Sequence, residues 1–141
     1  MKKSHLEVDI KVPNQTRYLS LIGKIGEDIA KELGKGNGDS GTLAYHLNMV
    51  LTEAMSNAIK YGNKDEPDSM VHISINFCPG EICIKVYDNG QGFDINAIPT
   101  PDFDMLEDRG RGIYIIKSLM DSVCYRKLRC NNVLEMSKKL G

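Results

Sequence analysis

Apolar and polar residues alternate at the start of the chain and then change to a longer repeat. The alternation over residues 5–12 is typical of a half-buried strand, which Pro13 ends. Over residues 15–33 apolar side chains recur every three or four positions, and this spacing predicts an amphipathic helix. A glycine-rich loop follows, and a second helix is predicted for residues 42–61.

The second half of the chain predicts two pairs of strands, separated by an irregular stretch and a helix. Residues 70–77 and 81–86 alternate on either side of a Pro-Gly turn, as the two strands of a hairpin do. Residues 93–109 have no clear period, which is typical of a functional lid or a mobile loop. Gly110 opens a third helix, and residues 123–139 predict two further strands.

This order of elements predicts an α+β fold. Most strands follow one another without a crossover helix, so we expect a two-layer α/β sandwich whose sheet is mixed but mainly antiparallel, with the helices on one face. The 141 residues correspond to a single domain, residues 1–141, that is large enough to bury a core.

Composition excludes several classes of function. Lys and Arg number 18 and Asp and Glu 19, so the net charge of −1 argues against direct binding of nucleic acid. No apolar run approaches the roughly 18 residues of a membrane span, and no apolar segment of a secretory signal follows the first residues. The four cysteines lack the spacing of a zinc or redox pair, and we expect reduced thiols. These features predict a soluble, cytoplasmic protein.

Three segments contain residues suited to chemistry. On the second helix, Glu53, Asn57 and Lys60 fall within one narrow arc beside the apolar stripe, with His46 two turns earlier. A carboxylate, an amide and an ammonium on one arc can serve a single charged ligand, by accepting a proton, binding a hard cation and contacting a phosphate. A solvated helix surface is the alternative interpretation of the same spacing.

The other two segments are rich in glycine. Asp88 is followed by Gly90 and Gly92 at the end of a strand, where the backbone can approach a ligand and the carboxylate can accept from an amine; an ordinary Asp/Gly turn is the alternative. The start of the third helix, with its free N–H groups, suits a phosphate, although a flexible loop with solvated arginines has the same composition. That helix start contains Arg109, Gly110, Arg111 and Gly112.

Together, these segments resemble the sequence boxes of a known superfamily. Residues 53–62, 88–93 and 110–113 look like the N, G1 and G2 boxes of the GHKL (Bergerat-fold) ATPases and kinases. The chain is most similar to the bacterial anti-sigma factor serine/threonine protein kinases. A Glu four residues before the Asn points the same way, because histidine kinases usually have Asn at the position of Glu53.

The resemblance implies a role for each residue of the helix. By analogy with the family, Glu53 is the general base for the attacking hydroxyl. Asn57 is the ligand of a Mg²⁺ ion that bridges the ATP phosphates. Lys60 matches a basic position of the histidine-kinase version of the box, next to phosphate.

The resemblance also implies how the two ends of ATP or ADP are held. Asp88 accepts a hydrogen bond from the adenine amino group, and Gly90 and Gly92 form the wall on the adenine side. Residues 94–109 form the ATP lid. The phosphates are held at the start of the third helix, by Gly110, Arg111 and Gly112, with Arg109 or Arg111 reaching the γ-phosphate.

Two departures from the family pattern concern this site. Glu107, Asp108 and Arg109 stand where the family tends to have a basic residue followed by a small one, so the pattern does not single out one arginine. The family commonly has Gly-Thr-Thr before the last strand, where a Thr supports the adenine contact. This chain has residues 131–133, Asn-Asn-Val, in the matching place.

The function implied is an ATP- and Mg²⁺-dependent serine/threonine protein kinase that acts as an anti-sigma factor. Such a kinase phosphorylates a STAS-domain anti-anti-sigma protein and sequesters a sigma factor, and a homodimer through the N-terminal strand and helix is implied as well. Two alternatives stay open: a nucleotide-binding module that sequesters a partner without turnover, and an ATPase in which Glu53 activates water.

Overall fold

The structure, a computed structural model, describes residues 6–33, 40–61, 69–78, 80–88, 108–128 and 131–140, and only the backbone at 40, 61 and 108–111. Five strands and three α-helices make up these ranges, with one 3₁₀ turn, Thr16–Tyr18, before the first helix. The elements are β1 (Leu6–Pro13), α1 (Leu19–Leu33), α2 (Ser40–Tyr61), β2 (Met70–Cys78), β3 (Glu81–Asp88), α3 (Asp108–Leu119), β4 (Ser122–Lys127) and β5 (Asn132–Lys139).

The five strands form one sheet in the order β1-β2-β3-β5-β4. All four pairings between these strands are antiparallel, which confirms the predicted α+β class and the mainly antiparallel sheet. The last strand of the chain lies between β3 and β4, so the start of β5 is brought beside the end of β3. Tyr87 and Asp88 pair with Val133 and Asn132, which extends β3 two residues beyond the predicted end.

The alternation of each strand determines which face it buries. Along β2 and β3 every second side chain is buried, as the period of two predicted. These side chains meet the apolar stripe of α2 in a single core, so the helices lie on one face of the sheet. The largest fully buried side chains of that core are Ile22, Leu47, Leu51, Met55, Ile73, Ile75, Ile82, Ile84 and Ile116.

Helix α1 buries small residues in addition to its apolar repeat. Of that repeat, Ile22 is fully buried and Ile25 and Ile29 pack half-buried against the core, whereas Leu33 is exposed. Its buried residues are Ile22, Gly23, Gly26 and Ala30. The reason is close packing on α2, since a Cβ at Gly26 would lie 2.5 Å from the Leu51 Cδ1.

The predicted start of the third helix needs correction. Helix α3 begins at Asp108 and not at Gly110, so the last residues of the predicted lid, 108–109, are helical. Residues 94–107 of that lid lie outside the described residues, as do Gly90 and Gly92. Within the described ranges, no helix combines the length and the hydropathy needed to cross a membrane.

Candidate functional site

The predicted polar arc of α2 lies at the border of the core. Glu53 and Asn57 are half-buried, as is His46, while Lys60 is exposed. The neighbouring helix positions Val50, Leu51 and Ala54 are buried in the core. This arrangement matches an arc beside the apolar stripe and differs from a fully solvated helix face, because its carboxylate and amide are partly withdrawn from water.

Helix α3 meets α2 at Glu53. The residue of α3 at this contact is Gly112, where an added Cβ would lie 2.8 Å from the Glu53 Oε2 atom. Real Cβ atoms essentially never approach that closely, so the carboxylate occupies space that only a glycine leaves open. The structure therefore brings together two residues from separate sequence boxes, and it places a carboxylate beside the N-terminal half of a helix.

The first turn of α3 carries the other predicted phosphate-binding residues. Arg109, Gly110 and Arg111 belong to the helix itself, because α3 begins at Asp108. The first N–H groups of a helix have no partner within it, and with the positive end of the helix dipole they form a site for anions. The early start of the helix thus moves Arg109 from the predicted lid into the turn that offers N–H groups, where Gly110 and Arg111 were already predicted.

Asp88 is buried at the end of β3 and has a side-chain partner on β5. The Asn132 amide nitrogen donates a hydrogen bond of 3.1 Å to the Asp88 Oδ1 atom. Both residues are only 5% exposed, and they stand directly opposite each other in the antiparallel register. A buried carboxylate on the helix-covered face of the sheet can accept a hydrogen bond from a donor.

The described residues fit a magnesium nucleotide. Gly112 admits the Glu53 carboxylate beside the first turn of α3, whose free N–H groups suit a phosphate. Asn57 offers a neutral amide oxygen, the hard type of ligand that Mg²⁺ accepts together with phosphate oxygens. Asp88 offers a hydrogen-bond acceptor suited to an amino group.

The contact of Asn132 with Asp88 was not predicted from the sequence. Residues 131–133 differed from the family pattern, and no other feature distinguished them. The register of β3 with β5 is what places Asn132 opposite Asp88, although 44 positions separate the two residues along the chain. The available signal was that one strand ends with Asp and a later strand starts with Asn. This signal predicts a contact only if the two strands are known to pair.

Two proteins of known name are similar to this chain in sequence. The chain is 25% identical over 131 residues to the serine-protein kinase RsbW of Bacillus subtilis (strain 168), covering 87% of this chain and 79% of that protein. It is 39% identical over 79 residues to the anti-sigma F factor of Heyndrickxia coagulans, covering 52% of this chain and 54% of that protein.

Solved structures share the fold at lower identity. The SiaB–SiaC complex from Pseudomonas aeruginosa contains a chain that matches with a TM-score of 0.61 and 12% identity, covering 94% of this chain and 89% of that one. The histidine kinase domain of the blue-light activated histidine kinase EL346 from Erythrobacter litoralis matches with a TM-score of 0.56 and 15% identity, covering 92% of this chain and 62% of that one. The profile of the histidine kinase-like ATPase domain family matches residues 18–138. The chain therefore belongs to the histidine kinase-like ATPase domain family, as its three sequence boxes predicted.

Proposed function

We propose that this protein is an ATP-dependent serine/threonine protein kinase that acts as an anti-sigma factor, in one domain of residues 1–141. The observation that carries the proposal is the Glu53 carboxylate against Gly112 at the N-terminal half of α3. A proton acceptor beside a phosphate-binding helix end is what the transfer of a phosphoryl group to a hydroxyl needs. The names of the relatives, a serine-protein kinase and an anti-sigma factor, support the same activity.

In this mechanism each residue of the chain has a limited task. Glu53 accepts the proton of the substrate serine or threonine hydroxyl as that oxygen bonds to the γ-phosphorus, while the bond from the γ-phosphorus to the bridging oxygen breaks and ADP leaves. The N–H groups of the first turn of α3, with Arg109 or Arg111, hold the phosphates and stabilise the developing charge. Asn57 and Lys60 lie one and two turns further along α2, toward its C-terminal end.

Asn57 is the residue of the arc that would hold a Mg²⁺ ion, which would supply neutralisation of the phosphate charge. Lys60 would contact a phosphate oxygen. Asp88 accepts a hydrogen bond from the adenine amino group at the other end of the nucleotide, beside Gly90 and Gly92. Residues 94–107 supply the rest of the ATP lid in this proposal.

The partners we propose are a STAS-domain anti-anti-sigma protein, as phosphate acceptor, and a sigma factor. The anti-sigma name of one relative supports the second partner. A solved structure with this fold is a complex of two proteins, SiaB and SiaC, which supports regulation by direct protein binding. Phosphorylation adds negative charge to the acceptor and provides a physical means of exchanging one partner for the other.

The test of the proposed activity compares wild type with Glu53→Gln. With radiolabelled ATP, Mg²⁺ and a STAS-domain protein, we expect wild type to label the acceptor. We expect Glu53→Gln to transfer about 10² to 10⁴ times more slowly, because the amide cannot accept the proton. Its affinity for ADP should stay close to that of wild type, since shape and volume are kept.

The matched control is Glu32→Gln, the same chemical change at an exposed position of α1. It should transfer label at the wild-type rate. Equal transfer by Glu53→Gln would remove Glu53 from the mechanism. If wild type binds ADP yet labels no acceptor, the proposed kinase activity is wrong. The protein is then better described as a nucleotide-binding module that sequesters a partner without turnover.

A homodimer is part of the proposal. Strand β1 pairs only with β2 among the described strands, so its second edge offers backbone groups to another chain. Exposed apolar side chains occur on β1, α1 and β2, at Leu6, Leu21 and Met70. We expect light scattering after gel filtration to give twice the 15.7 kDa mass of the chain. A monomer at micromolar concentration would contradict this arrangement.

A further inference from the structure

We propose that the N-terminal half of α2 is the surface on which the phosphate-acceptor protein docks, with Tyr45 and Met49 as its apolar contacts. The inference rests on the proposed kinase activity and names the part of this chain that recognises the acceptor. Its basis is the exposed face of α2, where two apolar side chains lead directly to Glu53. The pair Tyr45 and Met49 is called the apolar ridge below.

The apolar ridge and Glu53 form one row along α2. Tyr45, Met49 and Glu53 are spaced four residues apart within the helix. Residues at this spacing are neighbours on a helix surface. With a rise of about 1.5 Å per residue, Met49 lies about 6 Å and Tyr45 about 12 Å from Glu53 along the helix axis. A protein segment bound to the apolar ridge therefore also reaches the Glu53 carboxylate.

The apolar ridge lies on the solvent side of α2. Among the residues that the structure describes, Tyr45 is the most exposed large hydrophobic side chain, at 62%, and Met49 is half-buried. Leu47 and Val50, on the core side of the same turns, are buried. Aromatic residues and methionine are enriched in the centre of protein interfaces, so this pair has the composition of a docking surface.

Charge distinguishes this face of α2 from the exposed face of α1. Between residues 40 and 59 the sequence of α2 contains a single Asp, Glu, Lys or Arg, which is Glu53. The exposed face of α1 carries Lys24, Asp28 and Lys31, as is typical of a solvated helix. Covering a surface without charged side chains costs less desolvation free energy. The exposed face of α2 therefore favours contact with a partner protein.

The position of Glu53 indicates which partner this is. On the C-terminal side of Glu53, Asn57 and Lys60 serve the nucleotide in the proposed mechanism, and α1 and α3 pack on the two flanks of α2. The acceptor hydroxyl has to reach the Glu53 carboxylate to transfer its proton. Among the described elements, the approach left open to it crosses the N-terminal half of α2. The acceptor protein is therefore the partner that contacts the apolar ridge.

The experiment measures phosphoryl transfer at saturating ATP and Mg²⁺ against the concentration of the STAS-domain protein that wild type labels. We expect Tyr45→Ala to raise the KM for this acceptor at least about tenfold, because an aromatic side chain buried on docking is a typical hot spot. The kcat and the dissociation constant of ADP should stay within about twofold of wild type, since the apolar ridge touches no reacting atom. Tyr45→Phe keeps the ring and should keep the wild-type KM.

A second variant and a control locate the surface. Met49→Lys places a charge in the proposed contact and should also raise the KM for the acceptor at least about tenfold. The control is Leu128→Ala, which removes another exposed apolar side chain, 43% accessible, next to β4 and should keep the wild-type KM. In hydroxyl-radical footprinting, adding the acceptor with ADP and Mg²⁺ should slow oxidation of Tyr45 and Met49 at least about threefold but not that of Leu128.

The outcomes separate this inference from the kinase proposal. If wild type labels no acceptor, both are overturned. If wild type labels the acceptor and Tyr45→Ala does so with an unchanged KM, this inference alone is wrong. An unchanged KM together with loss of sigma-factor binding or of the dimer would assign the apolar ridge to another protein contact.

Structural damage gives a different result. A fall in kcat and in ADP affinity along with the rise in KM would indicate a distorted site and would also overturn the inference. If Tyr45→Ala does not fold, Tyr45→Gln replaces it, with the same rise in KM expected.

Discussion

At the scale of single residues, the lack of a side chain at Gly112 allows α3 to pack closely against Glu53 of α2. Gly112 lets α3 approach until the Glu53 Oε2 atom lies 2.8 Å from where a Cβ would stand. Glycine in a helix costs roughly 1 kcal/mol relative to alanine, so the contact is obtained at the expense of intrinsic helix stability. The cost is consistent with a position where space for a carboxylate matters more than helix propensity.

Replacing this glycine should separate activity from stability. In Gly112→Ala the new methyl group displaces the end of a flexible Glu53 side chain, so the fold tolerates it. We expect the free energy of unfolding to change by less than about 1 kcal/mol. Phosphoryl transfer should fall at least about tenfold, because a small misplacement of a catalytic group is costly. Urea unfolding and the labelling assay measure the two effects.

The control for this substitution is Gly80→Ala. Gly80 has a φ of 84°, which disfavours alanine, and open space around it. The Gly80→Ala variant should lose about 1–2 kcal/mol of stability and keep the wild-type activity. If Gly112→Ala keeps full activity, the contact with Glu53 has no catalytic importance.

Cysteine reactivity tests the outer face of the sheet. Burial, and then a hydrogen bond of 3.4 Å to Glu81 and the charge of that carboxylate, raise the pKa of the Cys83 thiol. A raised pKa leaves less thiolate at pH 8, so Cys83 should react with iodoacetamide at least about threefold more slowly than the exposed Cys78. Peptide mass spectrometry follows each site over time.

The neighbouring carboxylate offers a direct check on that explanation. In Glu81→Gln the negative charge is gone, and alkylation of Cys83 should become faster while Cys124 is unaffected. Alkylation of Cys83 at the same rate as Cys78 in the unmodified protein would be inconsistent with a raised pKa.

At the scale of elements, α1 and α2 are joined through small residues and a polar cluster. Asn48 donates to the Glu27 carboxylate, and Thr52 donates to the Asn48 Oδ1 atom at 3.3 Å. Gly23 lies against this cluster, since a Cβ there would be 2.7 Å from both the Asn48 Oδ1 and the Thr52 Oγ1 atoms. Polar side chains can remain half-buried between the helices because they satisfy one another.

Enlarging this glycine should destabilise the protein. We expect Gly23→Ala to lower the free energy of unfolding by about 1–2 kcal/mol. The energetic cost of overpacking and of displacing Asn48 should exceed the stability gained from the higher helix propensity of alanine. Ser20→Ala, at an exposed position of α1, should change it by less than about 0.5 kcal/mol. Urea unfolding compares the two. A Gly23→Ala variant more stable than wild type would show that the helices can move apart at little cost.

At the scale of the whole molecule, the position of β5 organises the site. Had β4 and β5 continued the sheet in chain order, β4 would lie beside β3. Instead β5 lies between them and delivers Asn132 to the end of β3. The helices cover the face on which Asp88 and Asn132 lie, so the buried pair is on the same side of the sheet as Glu53 and the start of α3.

The strand order also predicts where the sheet opens first. Among the described strands, β4 pairs only with β5, whereas β3 pairs on both sides. An edge strand leaves alternate N–H groups without a sheet partner. We expect hydrogen exchange, followed by mass spectrometry, to be faster by about tenfold or more in β4 than in β3. Equal protection would mean that another part of the chain or a second chain covers β4.

The sequence alone determined the local structure and most of the candidate residues. Hydrophobic repeats of two residues in strands and 3.6 residues in helices arise from residues close together in the chain. They therefore predicted the ends of the strands and helices to within a few residues. The boxes containing Glu53, Asp88 and Gly112 predicted the family for the same reason, since each box is a continuous segment. The start of α3 and the end of β3 were less accurate, because a terminal residue joins an element only if it finds a hydrogen-bonding partner.

Only the tertiary structure decided which of these segments meet. Pairing of β3 with β5 made Asn132 the partner of Asp88, and packing of α3 on α2 made Gly112 the neighbour of Glu53. It also added Gly23, Gly26 and Ala30 to the buried face of α1, beside the predicted Ile22. These contacts depend on strand order and on the fit of one helix against another. Strand order and helix packing produce no repeating pattern in the sequence, because the residues in contact are far apart along the chain.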